Sequence, residues 1–331
     1  MEQLGEYTLY ENLSSQNSGY SIWGFGYKNN KDYFIKQFLS PKYPADDYES
    51  SPQRLAKKKA QCIEFERKKI SVYSALNSGS DGNAVHVTEF FRIDTKYYIS
   101  MPKIEALPVT IGEIAAMPVC EKCRLCAIIA HAVYSLHLGG LIHADLKHEN
   151  ILFTQTRQEL LTAKVIDFDS SFLESEPPGE DEDIVGDLVY FSPEAVYRIL
   201  GEAKKLTCKM DVFSLGVLFH QYLTGELPSF DHDYADYPGE AAARGLIVEA
   251  SEDIPAFLNS VFSRMLSVDP DVRPSAFEVY NTLISYSADA SGITADLLNL
   301  DDAKYRASSE QDFFSPETQH LSPKMADSRE S

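Results

Sequence analysis

The chain is short of positive charge, of cysteine and of long apolar runs. Its 331 residues carry 30 Lys and Arg against 50 Asp and Glu, a formal charge of −20 at pH 7. Nucleic-acid backbones are recognised by clustered cations that release counterions, so this balance argues against a nucleic-acid partner. The five cysteines, Cys62, Cys120, Cys123, Cys126 and Cys208, are an odd number and lack the even framework of a small secreted domain. Reduced thiols and a cytoplasmic location are expected. Met1 is followed by Glu2, Gln3 and Glu6, without the basic start and apolar block of a signal peptide. The most apolar stretch, Leu125 to Ile142, contains His131, His137 and several small residues. A membrane span needs about 20 largely apolar residues, so this stretch reads as a buried helix and no membrane partner is expected. The sequence does not fix the oligomeric state.

What is present suits a large core, with 44% apolar residues in a chain long enough for one big domain or two modest ones. From Tyr7 to Met101, short runs rich in Tyr, Phe, Ile and Val alternate with polar positions and are separated by Asn, Ser, Gly and Asp. Period-2 alternation of this kind predicts strands, at Tyr7 to Leu13, Tyr20 to Lys28, Asp32 to Leu39, Val85 to Ile93 and Lys96 to Ile104. One helical pattern interrupts them at Gln53 to Leu76, with Phe65, Ile70, Val72, Tyr73 and Leu76 as its apolar stripe. Beyond Met101 the pattern is helical: Val119 to Leu138, Ser192 to Leu200, Lys209 to Gly225, Pro255 to Leu266 and Ser275 to Ser287. After Ala288 apolar content falls while Ser, Asp, Glu and Pro rise, so residues 288–331 are predicted to be an acidic, disordered tail.

The strongest chemical signal is His143-Ala144-Asp145-Leu146-Lys147-His148-Glu149-Asn150, followed by the apolar Ile151-Leu152-Phe153. Downstream, Val165-Ile166-Asp167-Phe168-Asp169 places a second carboxylate at the end of an apolar run. Transfer of a phosphoryl group needs such parts. Carboxylate and amide oxygens hold Mg²⁺, which neutralises the phosphates, and a further carboxylate aligns and deprotonates the acceptor hydroxyl.

These segments resemble the protein kinase family, whose catalytic loop reads H-R-D-L-K-x-x-N and whose metal-binding motif reads D-F-G. The resemblance implies that Asp145 is the catalytic base, Lys147 contacts the γ-phosphate, and Asn150 and Asp167 hold Mg²⁺. Further landmarks follow in the family's order. Gly186 to Glu194 resembles the end of the activation segment, where A-P-E is here Ser192-Pro193-Glu194. Met210 to Val217 resembles the D-V-W-S-L-G-V helix, and Asp269 to Ala276 the late segment whose Arg pairs with the A-P-E glutamate. By resemblance, Glu194 pairs with Arg273 and Asp211 holds the catalytic-loop backbone.

Nearer the N-terminus, Tyr33-Phe34-Ile35-Lys36 resembles the V-A-I-K strand, which makes Lys36 the ligand of the α- and β-phosphates. Its partner is expected to be Glu66, with Glu64 as the other choice. Aligned from Leu13, the glycine-rich loop has Ser14, Gln16 and Gly19 at its three glycine positions, so only Gly19 survives; Gln16 lacks glycine's backbone freedom. Met101 is expected to gate the adenine pocket, and Pro102 to Ile104 to supply the hinge, although Pro102 has no N–H to donate. Three other positions depart from the family. Ala144 replaces the arginine of H-R-D, Asp169 the glycine of D-F-G, and Asp187 a threonine of the activation segment.

Other features have blander readings. Cys120, Cys123 and Cys126 have a spacing found in zinc and iron–sulfur sites, but no fourth cysteine lies nearby and helix packing is expected. The run Glu174 to Asp183 reads as a solvated loop, or as a charged platform favouring basic substrates. Ser315-Pro316 and Ser322-Pro323 could accept phosphate.

The expected fold is therefore α+β and bilobal: a small sheet-rich N-lobe at 6–101, a hinge at 102–104, a larger helical C-lobe at 105–287, and the ATP site between the lobes. The expected function is transfer of the γ-phosphoryl of ATP to Ser or Thr of protein substrates, with Mg²⁺ and without an arginine before the catalytic aspartate. Lys147 favours Ser/Thr over Tyr acceptors. The alternative is a pseudokinase, a nucleotide-binding or scaffold module, motivated by the poor glycine loop and the altered D-F-G. A small-molecule kinase would lack the landmarks around Glu194, Asp211 and Arg273.

Overall fold

The computed structural model describes residues 2–15, 21–45, 51–79, 82–179, 182–291 and 319–320. Gln16, Gly19, Glu180, Asp181 and the two tail Ser-Pro pairs lie outside the described residues. The chain divides into two units, one made of Met1–Asn77, His86–Ile104 and Ala303–Ser331, the other of Ser78–Val85 and Glu105–Asp302.

The first unit is an antiparallel sheet with one long helix. Its strands are β1 (Gln3–Leu4), β2 (Tyr7–Leu9), β3 (Ser21–Lys28), β4 (Lys31–Phe38), β5 (Glu89–Ile93) and β6 (Lys96–Pro102), in the order β1-β2-β3-β4-β6-β5. Lys28 pairs with Lys31 across Asn29 and Asn30, both at positive φ (51° and 58°). That is the two-residue turn whose twist matches a hairpin, and asparagine tolerates it better than most residues. Alternation gives the sheet two aromatic faces. On one, Leu4, Tyr7, Leu9, Ile35, Phe91 and Tyr98 form a cluster. On the other, Phe38, Phe90 and Tyr97 meet Phe65 and Tyr73 of α1 (Pro52–Gly79), with ring centroids 5.1–6.3 Å apart. Pro52 suits the first turn, and no Gly or Pro follows until Gly79.

Two strand predictions need correcting here. The run from Tyr7 ends its strand at Leu9, makes one further backbone bond from the Tyr10 N–H to the Phe25 carbonyl, and pairs again at the Ser14–Trp23 bridge. The run from Val85 begins its strand only at Glu89, because Ala84 and Val85 pair with Val165 in the second unit and Val87 is bonded through its backbone to the Asn77 side chain.

The second unit is mostly helical: α2 (Ile111–Ala115), α3 (Val119–Leu138), α4 (Pro193–Ile199), α5 (Lys209–Thr224), α6 (Pro238–Ala243), α7 (Asn259–Met265) and α8 (Ala276–Ser291). Between them lie β7 (Leu141–Ile142), β8 (Ile151–Gln155), β9 (Leu161–Val165) and β10 (Phe172–Leu173), paired as β8–β9 and β7–β10. Helices α3 and α5 are buried on nearly every side and form the centre. The apolar run from Leu125 does not stay helical to Ile142: α3 stops at Leu138, Gly140 turns the chain at φ +68°, and Leu141 and Ile142 form β7. Helix α5 ends where Gly225 takes φ +89°, the left-handed cap that lacks a Cβ penalty only in glycine. Helices α2, α6, the β8–β9 hairpin and β10 are too short to give a periodic signal and were not predicted. Helix α8 runs to Ser291, past the 287–288 boundary read from composition. A last strand, β11 (Gln319–His320), pairs antiparallel with β5. Among the described residues no helix is long and apolar enough to cross a membrane.

Candidate active site

The second unit builds its site on one buried carboxylate. Asp211, in the first turn of α5, is fully buried, and its oxygens accept from the backbone N–H of His143 at 2.8 Å, of Ala144 at 2.9 Å, and from Nε2 of His137 at 2.9 Å. Burial works to raise its pKa, but the bonds from His137 and the His143 N–H outweigh that and hold it below its ordinary value. Ala144 is thereby fixed at φ +65°, a conformation that costs an alanine about 1 kcal/mol. The loop that follows is further pinned by His148, which bonds Tyr222 Oη and the Val109 carbonyl at 3.0 Å each.

Asp145 leaves this scaffold partly exposed, with each oxygen held. Oδ1 accepts from the N–H of Asp187 at 3.0 Å, while Oδ2 accepts from Asn150 Nδ2 at 2.9 Å and lies 3.2 Å from Lys147 Nζ. A carboxylate fixed in this way has one orientation to offer a reacting hydroxyl. Its N–H donates to His143 Nδ1 at 3.3 Å, and His143 Nε2 lies 2.9 Å from the Ile166 carbonyl. One nitrogen accepting and the other donating assigns the neutral tautomer.

The β8–β9 register brings in the second carboxylate. Ile151 pairs with Val165, and the Ile166 N–H donates to the Asn150 carbonyl at 3.0 Å, so Asp167 emerges beside Asn150. The Asn150 amide gives its Nδ2 hydrogens to Asp145, at 2.7 Å to the carbonyl and 2.9 Å to Oδ2, which turns Oδ1 the other way. Asp167 takes φ +62° and its Oδ1 accepts from the Asp169 N–H at 3.3 Å. One amide oxygen and one carboxylate are hard donors that fit Mg²⁺. Among the described residues no group of three or more His, Cys, Asp or Glu could hold a metal. Phe168 is buried against the His143 ring, with centroids 5.0 Å apart.

Residues 172–179 and 182–191 return along the loop. Ala144 sits with Ile142, Phe172, Phe191, Ala195, Leu206 and Met210 in an apolar cluster, where an arginine would have to bury its charge. Gly186 passes so close that a Cβ would lie 2.4 Å from the Phe191 ring. Arg198 donates to the Pro178 and Gly179 carbonyls at 3.2 and 2.7 Å. Asp187, standing where the family has threonine, uses its carboxylate to cap the Val189 N–H at 3.0 Å. The expected Glu194–Arg273 pair is present as a buried fork with two bonds of 2.8 Å, and Arg273 also donates to the Ser267 and Lys209 carbonyls.

In the first unit, Lys36 is buried on β4, paired with Trp23 on one side and Ile99 on the other. Glu66 is half-buried on α1 and accepts from Tyr97 Oη at 2.7 Å, whereas Glu64 is exposed and bound to Arg67 at 2.7 Å. Met101 is buried opposite Phe34, Pro102 closes β6 opposite Tyr33, and Ile104 follows it half-buried. Ser14 forms a two-bond bridge with Trp23 just before the undescribed residues 16–20. Of the three clustered cysteines, Cys123 and Cys126 are buried in α3, and burial pushes the Cys123 thiol up to about 11.

Sequence reasoning missed Tyr97, His137 and His148. Each works through a partner 31 to 74 residues away, a distance at which no local pattern signals the contact.

Comparison with known proteins points to the family that the sequence resembles. The family model described as protein kinase domain matches residues 52–283. Calcium-dependent protein kinase 15 of Oryza sativa subsp. japonica is 34% identical over 161 residues, 47% of this chain and 28% of that protein. The ovarian-specific serine/threonine-protein kinase Lok of Drosophila melanogaster is 32% identical over 155 residues, 46% of this chain and 31% of its own. Serine/threonine-protein kinase PSK2 of Saccharomyces cerevisiae is 27% identical over 222 residues, 64% of this chain and 18% of its own. The chain thus spans less than a third of these relatives. With its α+β architecture, its catalytic-loop geometry and a family match over most of its length, the chain belongs to the protein kinase family.

Proposed function

We propose that this chain is an active protein kinase that transfers the γ-phosphoryl of ATP to a Ser or Thr hydroxyl of a protein substrate. The observation that carries the reading is Asp145, a partly exposed carboxylate held by Lys147, Asn150 and the Asp187 N–H. The acceptor hydroxyl donates its hydrogen to Asp145. As the hydroxyl oxygen bonds to the γ-phosphorus, the bond to the β–γ bridging oxygen breaks, ADP departs and the proton passes to Asp145. Lys147 lies beside Asp145 and offsets charge growing on the transferred group. Asn150 Oδ1 and Asp167 would hold Mg²⁺, which would supply charge neutralisation at the phosphates. By family resemblance Lys36 holds the α- and β-phosphates, with Glu66 as its partner. The catalytic domain is assigned to 6–287, and the odd number of cysteines fits a reducing, cytoplasmic compartment.

The same reading includes a mode of control. Where an arginine precedes the catalytic aspartate, its charge calls for a phosphate on the activation segment. Here an apolar cluster around Ala144 and the Arg198 bonds hold that segment instead, so basal activity is independent of segment phosphorylation.

The test incubates the purified chain with γ-labelled ATP, Mg²⁺ and a basic protein, before and after phosphatase treatment. Label on Ser and Thr at rates equal within about twofold is expected. A chain whose melting temperature rises with nucleotide but which transfers no label would instead be the pseudokinase. A tenfold fall after phosphatase would overturn the account of control.

A further inference from the structure

Tyr97 stands out among the buried polar groups that the reaction does not yet use. It is fully buried in the aromatic cluster under α1, with its ring 5.1 Å from Phe65 and 6.0 Å from Phe90. Its hydroxyl reaches past that packing to Glu66 Oε1 at 2.7 Å. Cys62, one helical turn before Glu66, lies beside the same hydroxyl and bonds the Lys42 carbonyl at 3.5 Å. Burial and the adjoining Glu66 carboxylate both push the phenol pKa far up, so the hydroxyl stays protonated and donates.

The sheet register connects this bond to Lys36. Lys36 pairs with Ile99, and Tyr97 lies two residues from Ile99 on the same strand, so Lys36 and Tyr97 point to the same face of the sheet. Diagonal neighbours on one face stand roughly 7–8 Å apart at Cα, so Lys36 and Tyr97 are neighbours on the face against which Tyr97 holds Glu66. A glutamate on a helix surface samples several rotamers. A part-buried, charge-assisted hydrogen bond selects one of them. Glu64, on the outer side of α1, is instead tied to Arg67.

We propose that Tyr97 is a positioning residue for the phosphate-binding lysine: its hydroxyl fixes the Glu66 carboxylate, and with it α1, in the orientation that Lys36 needs. The inference rests on the kinase reading above. It places a specificity of orientation in a fully buried strand residue.

Four proteins test it: the wild type, Tyr97→Phe, Glu66→Gln and the double variant. Tyr98→Phe serves as control, because it deletes an equally buried hydroxyl that donates to Gln37 on the opposite face at 3.1 Å. For each, kcat and KM for ATP are measured with Mg²⁺ in excess, beside the melting temperature without nucleotide. Tyr97→Phe should lower kcat/KM for ATP about tenfold, the scale of one charge-assisted bond. Tyr98→Phe should leave it within about twofold even where its melting temperature falls as much. Adding Tyr97→Phe to Glu66→Gln should cost little more, since the two act as one unit. Equal kcat/KM in Tyr97→Phe and Tyr98→Phe, or full additivity in the double variant, would overturn the proposal and leave Tyr97 a packing residue. A wild type without turnover would overturn the kinase reading and this inference with it.

Discussion

The two units hold their functional side chains by different means. In the helical unit, the loop from His143 to Asn150 hangs on hydrogen bonds to buried polar groups: Asp211 accepts three, His148 makes two and Asn150 spends its amide on Asp145. In the sheet unit, the sheet face carrying Lys36 packs on the α1 helix carrying Glu66 through edge-on and stacked aromatic rings, with the Tyr97 bond as a polar contact to Glu66. Polar networks in a low dielectric tolerate no missing partner, whereas apolar packing adapts to a change of shape. The catalytic loop should therefore be brittle to isosteric changes of chemistry, and the sheet face tolerant of conservative changes of volume.

The largest effect tests the brittle side. Asp211→Asn preserves shape but turns an acceptor oxygen into a donor against backbone N–H groups, and should cost about 3 kcal/mol. In a unit of this size that lowers the melting temperature by roughly 6–12 °C, read by calorimetry. The Asp211 pKa is lowered in the folded chain, so its stabilisation is complete above the ordinary value of 3.8 and is lost as pH falls through the folded value. The stability gap to Asp211→Asn should hold from pH 7 to 5 and narrow below about pH 4, measured by urea unfolding.

Phe38→Leu probes the tolerant side. It removes a buried ring from the cluster but keeps it apolar, and should cost less than about 1.5 kcal/mol. A loss equal to that of Asp211→Asn would break the comparison.

Ser171 and Ser175 make a smaller test within the activation segment. Ser171 is buried and donates to the His143 carbonyl at 3.0 Å, whereas Ser175 is exposed. Ser171→Ala should cost about 1 kcal/mol and Ser175→Ala almost nothing. Neither should change the response to phosphatase.

The smallest effect concerns His220. It is buried, bonds the Glu226 carbonyl through Nδ1 and accepts from the Ser251 N–H through Nε2. Burial lowers its pKa, so its stabilisation is complete above the ordinary value of 6.5 and is lost as pH falls below that. His220→Gln keeps an acceptor and does not titrate. The wild type should lose stability relative to it between pH 7.5 and 5.5, and a parallel course would show that His220 stays bonded when charged.

The same contrast explains what could be read from the sequence. The Asp145, Lys147, Asn150 and Asp167 segments stood out in the sequence because their residue types come at short, contiguous spacing, and the structure brings Asp145, Lys147 and Asn150 together. The span of α3 was legible because Pro118 and Gly139 bracket an uninterrupted apolar pattern. Glu66 and Glu64 stayed ambiguous because both lie near the edge of the α1 stripe; burial beside Tyr97 separates them. The strand expected from Val85 broke because its first residues pair with β9, a competition that local alternation does not encode. Ala144 was legible as a missing cation, but not as the centre of an apolar cluster drawn from β7, β10, α4 and α5.

The central claim is that a rigidly held Asp145 accepts the proton of a Ser or Thr acceptor. Asp145→Asn tests it most directly, since the amide keeps the size of the side chain but not its basicity. Turnover of labelled ATP should fall by about 10²-fold or more, while the melting temperature and its rise with Mg²⁺ and ATP stay near those of the wild type. Wild-type turnover in a clean Asp145→Asn preparation would contradict the account.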